Sequence, residues 1–246
     1  STNAEKRLCD LFHVASLYAF GSFDRAEISA MGALVDYLHL TQRGRMPLLR
    51  PPVREPAGGT MQIDAATRRN LELTETLRGQ PSPTLFSLLD NCVTSMGSRQ
   101  LRHALHHPLR EREIPAARHG AVEALLEDYG RMAGEVRREL REIADIERIA
   151  GRIALRNARP RDLASLRQSL ARLAALRAPL QDSPSPLLAI LYADLETPVA
   201  TLDLLIRAIA PEPAAQIRDG GAIANGYDAD LDELRSLNDN CGAYLV

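Results

Sequence analysis

The chain has 246 residues, of which 45% are hydrophobic and 25% charged. That is ordinary folded-domain composition, long enough to bury a core without disulfide or metal staples. A net charge of -2 gives the chain as a whole no basic footprint for nucleic acid, and no apolar run approaches the roughly 20 residues of a membrane span. Cys9, Cys92 and Cys241 are odd in number and far apart, which argues against a disulfide framework and for a reducing cytoplasm. Aromatic residues make up 4% and Trp is absent, so the core must be aliphatic, and such cores are usually helical.

In chain order, Leu8, Leu11, Phe12 and Ala15 predict a helix face that Gly21-Ser22 interrupts. Asp24 can cap a second helix with Ile28, Met31, Leu34, Val35 and Leu38 on one side and Gly44 as its stop. Pro47, Pro51, Pro52, Pro56 and Gly58-Gly59 then mark a boundary that holds no regular element. Thr60–Ile63 reads as a short strand, and Asp64 as the cap of a helix to about Leu77, closed by Gly79.

From Thr84 onward the pattern is helix after helix. Thr84 caps a short one, and Thr94 or Ser95 starts another that Pro108 ends. Pro115 fits a first turn, with Val122, Leu125, Leu126 and Tyr129 as the apolar stripe. A longer stripe runs through Val136, Leu140, Ile143, Ile146, Ile149 and Ile153. Pro160 opens a helix whose Leu163, Leu166, Leu170, Leu173 and Leu176 step by three and four. Two short helices follow around 187–195 and 199–209. Residues 216–218 and 222–224 flank Asp219-Gly220-Gly221 as a possible small hairpin. Asp228 caps a last helix carrying Leu231, Leu234, Cys241 and Leu245, with acidic residues in its first turns as the macrodipole favours. The expected fold is therefore mainly α: a multi-helix bundle with at most one small hairpin.

No complete active site is legible. A phosphate loop needs Gly-Lys followed by Ser or Thr, but the only lysine, Lys6, stands between Glu5 and Arg7. His103, His106 and His107 share a helix end near Cys92, yet no further ligand stands at a zinc spacing. Histidines favouring the helix dipole are the simpler reading. Ser95 and Ser98 near His103 read as helix-start residues rather than nucleophiles. The pairs Glu142/Asp145 and Asp145/Glu147 read as surface carboxylates among arginines. The expectation is no catalytic residue, no metal and no cofactor in this chain. Arg152, Arg156, Arg159 and Arg161 are the candidate nucleic-acid backbone contacts. Without interleaved aromatics they suit phosphates rather than stacked bases, and against that contact role stands the favoured structural one, ion pairs between helices.

Several ungapped stretches resemble, in order, the core domain of the mismatch-repair protein family MutS. They are Met61–Leu73 (MQIDAATRRNLEL), Thr84–Asp90 (TLFSLLD), Thr94–Arg99 (TSMGSR), His107-Pro108-Leu109, Asp145–Ile149 (DIERI), Arg156–Leu163 (RNARPRDL) and Asp219-Gly220-Gly221 through Gly226-Tyr227. The resemblance implies residues 1–46 as the C-terminal part of a connector domain with α/β fold, 47–60 as a linker, and 61–246 as core. The last helix would be the first lever, stopping before the clamp. It implies a structural relay rather than an enzyme, coupling an ATPase state to mismatched-DNA binding. ATP and Mg would belong to an ATPase domain outside this chain. The implied partners are mismatched duplex DNA and MutL, both through a full-length homodimer. This piece would be monomeric, off the membrane and in the bacterial cytoplasm at the nucleoid. Arg99 and Arg159 fall in the matching motifs and are expected to brace the core. Ala104 stands where the family commonly has Trp, so either its neighbours are larger or its packing is looser. The competing reading is a helical scaffold or adaptor that binds a protein partner, but no repeat of fixed period supports it.

Overall fold

The computed structural model describes residues 2–42, 46–54 and 58–244, with side chains over 3–42, 46–54 and 58–237. The chain divides into two compact units. One comprises Ser1–Gly59 with Ala150–Asn157, the other Thr60–Ile149 with Ala158–Val246. Among the described residues there are eleven α-helices, and extended pairing is confined to two isolated bridges.

In the first unit, α1 (Thr2–Phe12) packs on α2 (Arg25–Thr41). α1 stops earlier than its apolar spacing predicts, because His13 turns left-handed at φ 54. Ala15 is thus left outside the helix, and Ser16 caps a 3₁₀ turn at Leu17–Phe20. Asp24 caps α2 as expected: its carboxylate accepts the Glu27 N–H at 2.8 Å, and the Glu27 carboxylate accepts the Asp24 N–H at 2.7 Å. α1 and α2 approach closely at Gly32, since a Cβ there would lie 2.4 Å from that of Ala4. Leu8, Leu17 and Val35 form the buried centre, flanked by Phe12, Phe20 and Met31. The proposed stop at Gly44 lies outside the described residues, as does Pro56. The described part of 47–59 holds no regular element.

The second unit contains α3 (Ala65–Asn70), α4 (Leu85–Leu89), α5 (Ser95–His106), α6 (Glu113–Leu140), α8 (Pro160–Arg177), α9 (Pro186–Asp194), α10 (Val199–Ala208) and α11 (Ala229–Tyr244), with α7 (Ile146–Ala154) divided between the units. Its main core gathers Ile143, Ile149, Leu166, Leu170, Leu173, Leu176, Leu205 and Ile209, so the stripe on α8 faces inward as its spacing requires. Among the described residues the one completely enclosed side chain is polar. Ser169 is satisfied twice, donating to the Ser165 carbonyl at 2.8 Å and accepting the Ala144 N–H at 2.9 Å.

Several expected boundaries are corrected. Residues 60–63 form no strand; Thr60 makes a single bridge to Leu109. α3 ends at Asn70 rather than Leu77, because Glu72 adopts φ 45 and its carboxylate accepts the Leu77 N–H at 2.7 Å. The chain then turns through Gly79, at φ 74. α6 is not one straight rod. Asp128, Tyr129 and Gly130 are left-handed in succession, breaking the hydrogen-bond ladder. Its buried apolar residues are Ala121 and Ala124, which meet Leu180 and Leu188; of the expected stripe Leu125 packs against them, whereas Val122, Leu126 and Tyr129 are exposed. Small residues on that side let the α9 leucine come close. The stripe from Val136 to Ile153 belongs to two helices separated by residues 141–145, although Ile143 and Ile149 still reach one core.

The hairpin at 216–224 is also overturned. Residues 217–219 form a 3₁₀ turn, and Ile223 pairs with Ile209 instead. The left-handed Gly220 and Gly221 swing the chain away from 216–218, and residues 222–224 pair along the exit of α10. The Ala210 N–H donates to the Ala222 carbonyl at 3.0 Å and the Ala224 N–H to the Ala208 carbonyl at 2.9 Å.

Candidate functional site

Arg152 and Arg156 lie in the first unit, Arg159 and Arg161 in the second. Arg152 is half-buried on α7, while Arg156, Arg159 and Arg161 are exposed. Arg156, just after α7, is left-handed, with φ 55. Arg159 is the residue before α8, and its N–H donates to the Asp162 carboxylate at 2.9 Å. Pro160, buried at the first helical position, holds the entry rigid. Arg159 borders a groove of about 360 Å³ with Gln216 and Arg218. Arg161 borders another of about 460 Å³ with Ser165, Gln168 and Glu212. Exposed guanidinium groups at a helix entry are suited to phosphate oxygens, and Glu212 gives the second groove a charge of the opposite sign.

Arg99 has a different role, and the structure shows it bracing the core as expected. It grips Asp145 with two parallel bonds, Nη1 to Oδ2 at 2.9 Å and Nη2 to Oδ1 at 2.7 Å, and reaches Glu147 from Nη2 at 2.6 Å. Ser95 donates to the same Asp145 carboxylate at 2.9 Å. Asp145 in turn receives the Arg148 N–H at 3.2 Å and so caps α7. α5 and α7 are thereby joined through one carboxylate. These hydrogen bonds, chiefly from Arg99, hold the Asp145 carboxyl well below its usual range and raise the guanidinium of Arg99. Reading Asp145 as one of a pair of surface carboxylates is therefore corrected. Its side chain is only 19% exposed, against 69% for Glu147, because the Arg99 fork covers it.

The remaining candidates are placed without any catalytic pairing. Ser98 donates to Asp90 at 3.0 Å, and Thr94, not Ser95, caps α5. His103 and His107 stack with ring centroids 4.3 Å apart. His106 instead turns to Thr74, Nε2 to Oγ1 at 3.0 Å. Among the described residues, no three His, Cys, Asp or Glu side chains are grouped to hold a metal ion. Lys6 sits within α1, remote in sequence from any glycine loop.

The base of α11 carries a polar seat that sequence reading missed. Arg235 bonds the Asn225 side chain at 2.9 Å, Asp232 at 3.1 Å and the Ile223 carbonyl at 2.9 Å. Asp232 also accepts the Gly226 N–H at 2.6 Å. The segment they grip is the one whose Ile223 pairs with Ile209. The Ile209, Ala210 and Pro211 carbonyls are in turn held by Arg167 of α8, at 2.6, 3.2 and 2.9 Å. A continuous run of hydrogen bonds thus ties α8, the exit of α10 and the first turns of α11. Asp232 looked like a macrodipole residue in the sequence. Its actual partners are the Gly226 N–H and Arg235, which local spacing alone does not pick out.

The bundle is braced at Arg99, and a further helix is seated on it through Arg235. Comparison with known protein families finds that the model for MutS domain III matches residues 66–245. That span takes in both the Arg99 brace and the α11 seat, and the chain belongs to the MutS domain III family, the core domain of DNA mismatch-repair proteins.

Proposed function

We propose that this chain is the stiff relay of a MutS-type mismatch-recognition protein. Residues 61–246 would transmit a nucleotide-dependent rearrangement, made in an ATPase domain that binds ATP and Mg, toward the end that holds mismatched duplex DNA. α11 is the first part of the lever, and residues 1–46 are the end of the connector domain, through which MutL is engaged. The working protein is a homodimer in the bacterial cytoplasm, at the nucleoid. This chain alone is a monomer and catalyses nothing. Arg152, Arg156, Arg159 and Arg161 contribute phosphate contacts to the duplex.

The observation that carries this reading is the seat of α11. A helix can relay a rigid-body movement only if its base is fixed to the body that moves, and Arg235 with Asp232 supplies that fixation through bonds of 2.6–3.1 Å. The test is made in the full-length protein with Arg235→Gln. The expected outcome is a normal ATPase rate without DNA, coupled with a lost or blunted response of that rate to mismatched duplex. An unchanged response would remove α11 from the relay path. In the same protein, neutralising Arg156 and Arg161 together is expected to weaken matched and mismatched duplex alike.

A further inference from the structure

The stretch Met61–Leu73 that carries the resemblance also lines a cleft away from the α11 seat that carries the relay reading. Its volume is about 490 Å³, within the range of small-molecule sites. Arg68 and Arg69 of α3 line it, together with Thr74, Glu75 and Thr76 of the following turn and His106 at the end of α5. Two nitrogens there are buried and make no hydrogen bond: Nε of Arg68 and Nδ1 of His106. A guanidinium Nε is always a donor, so leaving it unpaired is costly in a folded protein. The other contact of Arg68 is long, Nη2 to the His106 carbonyl at 3.4 Å. Among the described residues neither Arg68 nor Arg69 pairs with a carboxylate within 4.0 Å, and Glu75, the one acid in the lining, pairs with neither.

We propose that this cleft binds a phosphate group, free or carried by a small phosphomonoester. A planar fork offering Nε and Nη matches two phosphate oxygens at once. The second arginine and the Thr76 hydroxyl supply further donors, and the 3.0 Å bond between Thr74 and His106 leaves one more proton, on the Thr74 hydroxyl or on Nδ1, for the remaining oxygens. Burial, followed by the positive charge of Arg68, His107, Arg102 and His103, keeps the His106 imidazole below its usual 6.5, so the ring is neutral and short of an anion beside it. An incoming phosphate supplies that anion and opposes Glu75, leaving the arginine pair as the deciding charge.

The ring nitrogens of His106 report the event directly. The chain is titrated with inorganic phosphate, with ribose 5-phosphate and with sodium chloride at matched ionic strength, followed by nitrogen-15 resonance of the histidine rings. The expected result is a saturable shift at His106 with phosphate, absent with chloride, and a higher titration midpoint for that ring when phosphate is bound. If ribose 5-phosphate binds more tightly than inorganic phosphate, the ligand is a phosphomonoester; equal or weaker binding identifies free phosphate. Arg68→Gln is expected to weaken binding about tenfold or more, from loss of a charge-assisted pair, and Arg68→Lys to restore only part of it. Should Arg68→Gln fail to fold, the exposed Arg69→Gln takes its place with the same expectation. A His106 ring that ignores both phosphates, or affinity unchanged in the arginine variants, overturns the proposal. So does a short duplex that shifts His106 when neither small phosphate does, since the cleft would then belong to a nucleic-acid backbone.

Discussion

A single carboxylate, Asp145, accepts from Arg99, Ser95 and the start of α7, and this convergence dictates how the fold responds to acid. Its folded-state pKa lies below the ordinary 3.8, so the unfolded chain takes up the proton first as pH falls. The stabilisation is therefore complete above about pH 4 and is lost progressively below it. Arg99→Gln removes the fork. The variant is expected to melt at lower temperature at pH 7 and to lose less on going to pH 3 than the parent does, as thermal melts across that range would show. A parent and variant with parallel pH profiles would mean that the brace contributes nothing. Ala104 gives a second residue-scale prediction. It borders a cleft of about 190 Å³ with Gln100, His107, Pro108 and Pro115, so the looser-packing alternative for the missing Trp is the one the structure favours. Ala104→Trp should fill that space and stabilise by about 1 kcal/mol, on apolar area removed from water. A lower melting temperature would show that larger neighbours had already closed the gap.

At the scale of elements, α6 shows why periodicity misleads when two faces of a helix are both apolar. Val122 and Leu126 outrank Ala121 and Ala124 in hydrophobicity, and counting large side chains centres the inward face on them, although of the expected stripe only Leu125 packs on the core. The alanines are buried because α9 brings Leu188 close, and only a small residue leaves room for it. Ala124→Leu is then expected to cost about 1–3 kcal/mol from overpacking, while Val122→Ser should stay within about 0.5 kcal/mol of the parent. Urea denaturation of the two variants measures both, and the reverse order would restore the Val122 face to the core. The same logic separates α7 from α6. The apolar stripe across 136–153 is real, but α6 stops at Leu140 and Asp145 caps the next helix.

For the whole molecule, the net charge of -2 sets the expectation for DNA. Three of the four candidate arginines are exposed, and any affinity they confer is for phosphates rather than base sequence. Binding to matched and G·T duplexes should be weak and equal. It should fall with salt at a log-log slope of about 0.9 for each phosphate neutralised. Fluorescence anisotropy across a salt series tests this, and a preference for the mispair at physiological salt would mean that this chain itself reads DNA.

What the sequence determined by itself was whatever depends on neighbours along the chain. The caps Asp24, Thr84, Thr94 and Asp228, the first-position Pro160 and the inward leucines of α8 all follow from local hydrogen bonding and a 3.6-residue period. The ordered motifs carried the family as well, because they span most of the chain. Tertiary structure decided everything that depends on which distant segment comes near. Ile223 pairs with Ile209 rather than with 216–218. Arg99 meets Asp145 across 46 residues, Arg235 grips the Ile223 carbonyl, and Arg68 shares a cleft with His106. In one sequence each of these arginines is only a charge among many, since a long flexible side chain has no periodicity and takes its role from whatever acceptor the fold brings within reach.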